Sequence, residues 1–426
     1  MLGLFEAGDS GMEVNELFTA GLGLKAPWRL AGHRLEQGKH PHELHLEVVS
    51  DRGATFPCAE CGKPCKAHDF ASLTWRHLNF FQHHCYVTAR VPRVDCPDHG
   101  VKRVAVPWAR AGNRFTLLFE QAALMLAREM PVAAAARFIE VTDKRLWRVV
   151  GHYVGRAVAG LDLSKVRAVG LDETASRKGH NYVTVFIDME RRNKPVLFVT
   201  EGKGKACVKA FCAYMREHGG EPTRVAEVVC DMSAAYLAAV AENFPKAAVT
   251  VDWFHVVQLF STAVDDVRKA EARQRDLPKG ARWAVLKAGD GNTLTEQQQI
   301  ALAELKTGGF ATAEAYRAKE QLRWVRQAET RQAARWRLTR FINEIGTCLQ
   351  PTAMLDPVRK ALATVANHAE RIVQRWTSTY SNARLEGLNG IFKAARARAR
   401  GYRKTRTFIT IIYLLGAPLP EILVST

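Results

Sequence analysis

At 426 residues, with 47% apolar and 24% charged side chains, the chain is long enough for two or three packed domains, and disorder is excluded as its default state. Its 61 Lys and Arg against 43 Asp and Glu leave a formal charge of +18, which points to a polyanion, nucleic acid first; no membrane partner is expected, because no amphipathic anchor or lipidation signal accompanies the basic runs. No basic leader opens the sequence, "FITIIYLLGAPLP" is too short to span a bilayer, and nine cysteines, an odd number, speak against a disulfide framework, so a cytoplasmic protein, nucleoid-associated when bound to DNA, is expected.

In chain order, residues 1–52 form an N-terminal segment with short alternating stretches such as "HELHLEVVS". Residues 53–105 hold most of the Cys and His. Here Cys58-x2-Cys61 and Cys96-x2-His99 are two ligand pairs at zinc-knuckle spacing, which predicts a closed tetrahedral Zn2+ site with a structural task. Cys65, His68, His83, His84 and Cys85 are spare candidates, and free buried thiols are the competing reading. Residues 106–160 read as three helices, "TLLFEQAALMLARE", "PVAAAARFIEV" opened by Pro131, and "TDKRLWRVVGHYVGRAV", in the manner of a helix-turn-helix. Thr142 is placed to cap a helix bearing Lys144, Arg145, Arg148 and His152, cations suited to phosphates or guanine edges; an ordinary solvated helix carries the same pattern.

From 161 to 271 the pattern changes to short apolar runs. "VRAVGLDE", "NYVTVFIDM" and "KPVLFVTEG" predict an antiparallel meander. A helix, "KACVKAFCAYMREHGG", stopped by Gly219 and Gly220, a strand "TRVAEVVCDMS", a helix around "AAYLAAVAENF" and a strand "AAVTVD" complete the order β-β-β-α-β-α-β of a ribonuclease-H-like core. Residues 272–364 are charged, Ala- and Gln-rich helix whose Trp283, Trp324 and Trp336 are expected in its core, and 365–426 hold a helix and a basic segment.

Two of these strands are expected to end on a carboxylate, the first on Asp172 and the fourth on Asp231. A strand-terminal Asp is commonly a turn residue, but two neighbouring strands presenting carboxylates at corresponding ends suggest metal ligands. On the late helix Leu385, Leu388, Phe392 and Ala395 form an apolar stripe, beside which runs a polar one of Asn382, Glu386, Asn389, Lys393 and Arg396. Asp172, Asp231 and Glu386 would together offer hard oxygen ligands to one or two Mg2+ or Mn2+ ions, with positions left open for water and phosphate. Asp252 is the rival to Asp231. Seven cations between 393 and 406, Lys393, Arg396, Arg398, Arg400, Arg403, Lys404 and Arg406, follow Glu386 and suit DNA strands better than a merely solvated face.

The blocks "ATFPCAECGKPCKAHD", "WRHLNFFQHHCYVTARVPRVDCPDHGV", "VPWARAGNRFTLLFE", "VGLDETASRKGHNYVTVFID", "CDMSAAY", "DWFHV" and "SNARLEGLNGIFKAARARARGYR" occur in an order that resembles the bacterial insertion-sequence transposases of the ISL-three family. The resemblance implies a multidomain α/β protein: a ribonuclease-H-like mixed-sheet DDE core interrupted by an α-helical insertion, preceded by a small zinc-binding module and a helix-turn-helix. It implies two Mg2+ (or Mn2+) ions on Asp172, Asp231 and Glu386, and a structural Zn2+ for which the family often supplies Cys at the place of His99. The D-x-x-H pair of Asp252 and His255 is similar to motifs of related DDE enzymes, where the His lies close to the catalytic site; a helix-capping pair is the alternative. The implied partners are double-stranded DNA, as terminal inverted repeats and as target, and further copies of the chain in a homodimer or higher oligomer on DNA. A non-catalytic DNA-binding regulator and a structure-selective nuclease of the same fold are the competing functions.

Overall fold

Alternating apolar residues build the first sheet of the protein, seen in a computed structural model that describes residues 13–38, 40–177, 179, 181–287, 294–380 and 383–419. After a short helix α1 (Val14–Gly21), strands β1 (Trp28–Glu36) and β2 (Glu43–Ser50) pair antiparallel, as do β3 (Thr55–Pro57) and the long β4 (Pro64–Phe80). Strand β5 (His83–Cys96) joins the halves, parallel to β2 and antiparallel to β4, while β6 (Gly100–Arg103) pairs with its far end. The order β1-β2-β5-β4-β3 therefore puts the N-terminal segment and the cysteine-bearing segment in one sheet. Cys85, Val87, Ala89 and Val91 alternate inward along β5 and meet Leu44, Leu46 and Val48 of β2, with Trp108 edge-on to both Trp28 (5.0 Å) and Trp75 (5.6 Å).

The three expected helices follow: α2 (Leu117–Glu129), α3 (Val132–Phe138) and α4 (Asp143–Ala159). The Thr116 hydroxyl accepts from Phe119 N–H (3.3 Å), Pro131 holds the N-cap of α3, and the Thr142 carbonyl accepts the first bonds of α4 from Arg145 and Leu146. Glu120 of α2 is fully buried. Its carboxylate accepts from Arg110 Nε (2.8 Å), Tyr153 Oη (2.7 Å) and Asn113, which ties α2 to α4.

The chain divides into two compact units, Met1–Tyr153 with Leu419–Thr426, and Val154–Pro418. In the second, β7 (Ala168–Arg177), β8 (Asn181–Asp188) and β9 (Val196–Glu201) form the antiparallel meander, while β10 (Glu227–Cys230) and β11 (Ala248–Val251) lie parallel to β7 on its other side. The sheet order is β11-β10-β7-β8-β9. Helices α5 (Lys205–Glu217) and α6 (Ala234–Asn243) cover one face, packing Phe211, Met215, Tyr236 and Phe244 against Leu171, Phe186 and Leu197. Gly219, at φ 76°, ends α5 as expected. Helices α7 (Trp253–Glu271), α8 (Ala281–Leu286), α9 (Glu296–Thr307), α10 (Ala311–Arg326), α11 (Arg331–Cys348), α12 (Asp356–Asn367) and α13 (Ala369–Val373) build a separate helical core, with Phe260, Leu322, Phe341 and Val365 at its centre. The sheet's other face receives α14 (Ala383–Arg398) on β7 and α15 (Thr405–Gly416) on β9, where Tyr413 Oη accepts from Val199 N–H at 2.8 Å.

Two expectations are corrected here. The first strand does not end on Asp172: β7 continues to Arg177 because its ladder with β8 runs on to Arg177↔Asn181, so Asp172 sits inside a strand. Trp283 and Trp336 are not core. They are 53% and 56% exposed, because α8 buries Ala281, Ala284 and Val285 and leaves Trp283 outside, and α11 buries the stripe Ala334, Leu338, Phe341 and Ile345 and leaves Trp336 on another face. There Trp336 meets the half-buried Trp324 edge-on (5.6 Å), with Arg340 over both rings. No helix among the described residues is long and apolar enough to cross a membrane.

Candidate active site and zinc centre

The carboxylates of Asp172 and Asp231 owe their proximity to strand register. β10 pairs in parallel with β7 through Glu227↔Ala168, Val228↔Val169 and Val229↔Gly170, and the same step carried forward sets Asp231 level with Asp172. Each also serves its own backbone, as a turn residue does: Asp172 Oδ1 accepts from Glu173 N–H (2.7 Å) and Asp231 Oδ1 from Ser233 N–H (3.0 Å) at the start of α6. Helix α14 delivers Glu386. It is held along β7 by Arg384, which donates to the Met189 carbonyl (3.0 Å), by Asn389, which donates to Asp172 Oδ2 (2.8 Å), and by Arg396, which donates to the Ala175 carbonyl.

Gly170 makes this approach close. A Cβ there would stand 2.9 Å from Leu385 Cδ1 and 2.5 Å from Met189 Sδ. The buried face of α14 is Leu385, Asn389, Phe392 and Ala395, so Asn389 takes the interior place expected of Leu388, which is only half-buried. Asn382 lies outside the described residues. Sequence reasoning placed Asn389 in the polar stripe beside Glu386 and gave it no role at the site; its spacing of i+3 from Glu386 was the available signal.

The electrostatics bind these groups into one cluster. Burial raises the Asp172 pKa and nearby Asp231 adds to the rise, against the Glu173 N–H, His255 and Asn389, which favour the carboxylate. Burial likewise raises Glu386, with Asp252 and Asp172 adding and His255 and Lys393 opposing. Asp172 thus feels the charges of Asp231 and His255, and Glu386 those of Asp252, His255 and Asp172. Asp252 is 7% exposed and caps α7 by accepting from Phe254 N–H (3.3 Å), while His255 Nε2 is buried without a hydrogen-bond partner. A cavity of 560 Å³ opens beside Asp231 and His255, lined also by Gln258, Thr262, Lys360 and Thr364.

In the first unit the four expected zinc ligands converge. Cys58, Cys61, Cys96 and His99 bring their ligand atoms within 4.8 Å of one another, with Cys61 Sγ to Cys96 Sγ at 3.7 Å and Cys96 Sγ to His99 Nδ1 at 3.6 Å. Bonds of about 2.3 Å to sulfur and about 2.0 Å to nitrogen give tetrahedral edges of about that length, so the set fits Zn2+. Hydrogen bonding to His99 holds the Cys96 thiol down at about 6, the direction a ligand thiolate needs. Of the spare candidates, His84 is paired with Glu140 and Cys85 is packed in the core. Glu36, Glu43 and His45 also converge, but Arg34 already neutralises Glu36 (2.6 Å).

The basic residues divide. Lys144, Arg145 and Arg148 are exposed on α4, although the Arg145 guanidinium lies over the Phe115 ring at 4.3 Å. Lys393, Arg398, Arg400, Arg403 and Lys404 are exposed, whereas Arg396 is half-buried through its bond to β7. Arg177, Arg396, Arg400, Tyr402 and Arg403 line a cleft of 490 Å³ where β7 and α14 end.

Comparison with known proteins gives three family matches along the chain. Residues 54–99 match a family described as the zinc-finger of transposase IS204/IS1001/IS1096/IS1165, residues 104–154 the helix-turn-helix domain of transposase family ISL3, and residues 169–412 the ISL3 DDE transposase family. The chain is 27% identical over 390 residues to the transposase for insertion sequence element IS1001 of Bordetella parapertussis, covering 88% of this chain and 92% of that protein. It is also 27% identical over 396 residues to the transposase for insertion sequence element IS1557 of Mycobacterium tuberculosis, covering 84% and 85%.

Proposed function

Because this chain belongs to the ISL3 family of insertion-sequence transposases, we propose that Asp172, Asp231 and Glu386 are its DDE residues and that they cut and join DNA at the ends of its element. The observation that carries the assignment is geometric: the β10–β7 register sets Asp231 level with Asp172, and α14, which brings Glu386, is tied to Asp172 through Asn389 at 2.8 Å. On this reading the second unit's sheet is a ribonuclease-H-like core (161–271 and 365–426) and residues 272–364 are a helical insertion within it. The first unit then comprises the N-terminal segment (1–52), a zinc-binding module (53–105) and, with the start of the next unit, the helix-turn-helix (106–160).

The three carboxylates would hold two Mg2+ or Mn2+ ions, which when bound activate the attacking hydroxyl and stabilise the leaving oxygen. The chain's own residues orient and discriminate. The Glu173 N–H favours the ionised form of Asp172 against burial and the nearby Asp231, and the Ser233 N–H orients the Asp231 carboxylate. His255, whose Nε2 lacks a protein partner, is free to donate to a phosphate oxygen or to one of the carboxylates. Water attacks phosphorus at the element end and the bond from phosphorus to the 3′ oxygen breaks; the released 3′-hydroxyl then attacks phosphorus in target DNA, displacing the target strand's own 3′ oxygen, which leaves as a hydroxyl by taking up the proton that the attacking hydroxyl loses. Lys393, Arg398, Arg400, Arg403 and Lys404 neutralise strand phosphates, and Lys144, Arg145 and Arg148 meet the terminal repeats. Cys58, Cys61, Cys96 and His99 hold a structural Zn2+ that stiffens the N-terminal sheet. Joining two ends in one event calls for at least a dimer on DNA.

The test is cleavage and strand transfer with Mg2+ on labelled DNA bearing the element's own ends, comparing wild type with Glu386→Gln. Cutting and joining by wild type alone is the expected result. Specific binding without cutting by either protein, across metals and end lengths, would instead identify a DNA-binding regulator, and cutting without joining a nuclease.

A further inference from the structure

The helical period of α14 asks for an apolar residue at 389, between Leu385 and Phe392, and the sequence supplies an amide. Asn389 is only 3% exposed. Its Nδ2 donates to Asp172 Oδ2 at 2.8 Å and, at 3.4 Å, to the Glu173 carbonyl. Its Oδ1 is buried with no hydrogen-bond partner. The orientation of the amide is set by chemistry: an ionised Asp172 oxygen only accepts, so turning the amide over would set oxygen against oxygen.

Two consequences follow from this geometry. Asp172 receives one donor on each oxygen, Glu173 N–H on Oδ1 and Asn389 on Oδ2, so its carboxylate plane is fixed while each oxygen keeps a lone pair for a cation. A leucine would fill nearly the same volume without stranding an acceptor, so packing alone does not account for asparagine here. Polar groups retained against packing preference mark functional positions.

We propose that Asn389 is a positioning residue of the cation site: Nδ2–H fixes Asp172 in its ligand orientation, and Oδ1 accepts a hydrogen bond from water held in the loaded site. The inference rests on Asp172 being a ligand. Partners of metal ligands commonly carry 10–100-fold in affinity.

The experiment is a Mn2+ titration followed by electron paramagnetic resonance on the full-length, zinc-loaded protein, with thermal melting of the same samples. Asn389→Leu is expected to weaken Mn2+ binding about 10–100-fold while the melting temperature without Mn2+ stays level or rises. A role confined to joining α14 to β7 predicts the reverse pattern: a lower melting temperature for Asn389→Leu with unchanged Mn2+ affinity. That result overturns the proposal. Asp172→Asn separates the premise: if it abolishes Mn2+ binding while Asn389→Leu leaves the affinity unchanged, Asp172 stands and Asn389 falls, and if it leaves Mn2+ binding intact, both fall.

Discussion

Replacing Gly170 by Ala tests whether the fit of α14 onto β7 governs the active site. The new Cβ would stand 2.5 Å from Met189 Sδ, 2.9 Å from Leu385 Cδ1 and 3.2 Å from Ile187 Cγ1. Met189 is flexible and yields, but Leu385 is fully buried and must move with its helix by a few tenths of an ångström. Overpacking of this kind costs about 1–3 kcal/mol, and the loss of glycine's unfolded-state freedom returns about 0.4–1 kcal/mol, leaving a net loss of roughly 1–2 kcal/mol. For a unit of this size that is about 2–8 °C in melting temperature, from about 2–4 °C per kcal/mol. Because Glu386 follows Leu385 directly, end cleavage should fall more than stability does. Leu385→Ala alone should cost about 2–5 kcal/mol, and the double variant should be more stable than the sum of the two losses predicts, since the smaller side chain makes room for the methyl. Thermal scans and end-cleavage rates on the four proteins measure this. Gly170→Ala with wild-type melting and wild-type cleavage, or strictly additive losses, would refute the view that this contact sets the helix.

Removing zinc with a chelator, or substituting His99→Ala, should take bound zinc from about one per chain to about none and lower the melting transition of the N-terminal unit; His99→Cys should retain zinc, and atomic absorption reads both. The raised pKa values of Asp172 and Glu386 have a definite sign. Each group prefers its proton when folded, so its contribution to stability is fully present below the unfolded pKa and is lost as pH rises through the folded value. Mn2+ prefers the ionised site. The rise in melting temperature on adding Mn2+ should therefore grow as pH climbs from the ordinary carboxylate range through the raised values, and Glu386→Gln should flatten that dependence. Glu120→Ala, which strands Arg110 beside a buried cavity, should cost about 3–5 kcal/mol by thermal or chemical denaturation, whereas Glu120→Gln should cost less. Lys144→Ala should weaken DNA binding about equally for all sequences and reduce the salt slope by about one, read by fluorescence anisotropy at several salt concentrations, while Arg145→Ala should also lose stability through Phe115.

Much of the local structure was legible in the sequence because it is written in local terms. Pro131, Thr142 and Gly219 mark helix ends through backbone preferences that need no partner, and the short apolar runs of the second unit became strands in the expected order. The paired spacing of Cys58, Cys61, Cys96 and His99 predicted their convergence, since ligands with two residues between them on a tight turn already face one point. Other features waited for tertiary contacts. Asp172 lies inside β7 because β8 extends the ladder past it, and no local signal reports a partner strand's length. The place of Asp252 as both cap and neighbour of Glu386, and of Asn389 as donor to Asp172, depends on how closely α14 can lie on β7, which a missing Cβ at Gly170 permits. The exposure of Trp336 depends on which stripe of α11 the helical core claims. What the sequence determined by itself was therefore the elements and the kinds of ligand, fixed by short-range preferences; only the tertiary structure decided which side chains share one buried, charge-coupled site, because that is set by register and packing between residues more than 200 positions apart.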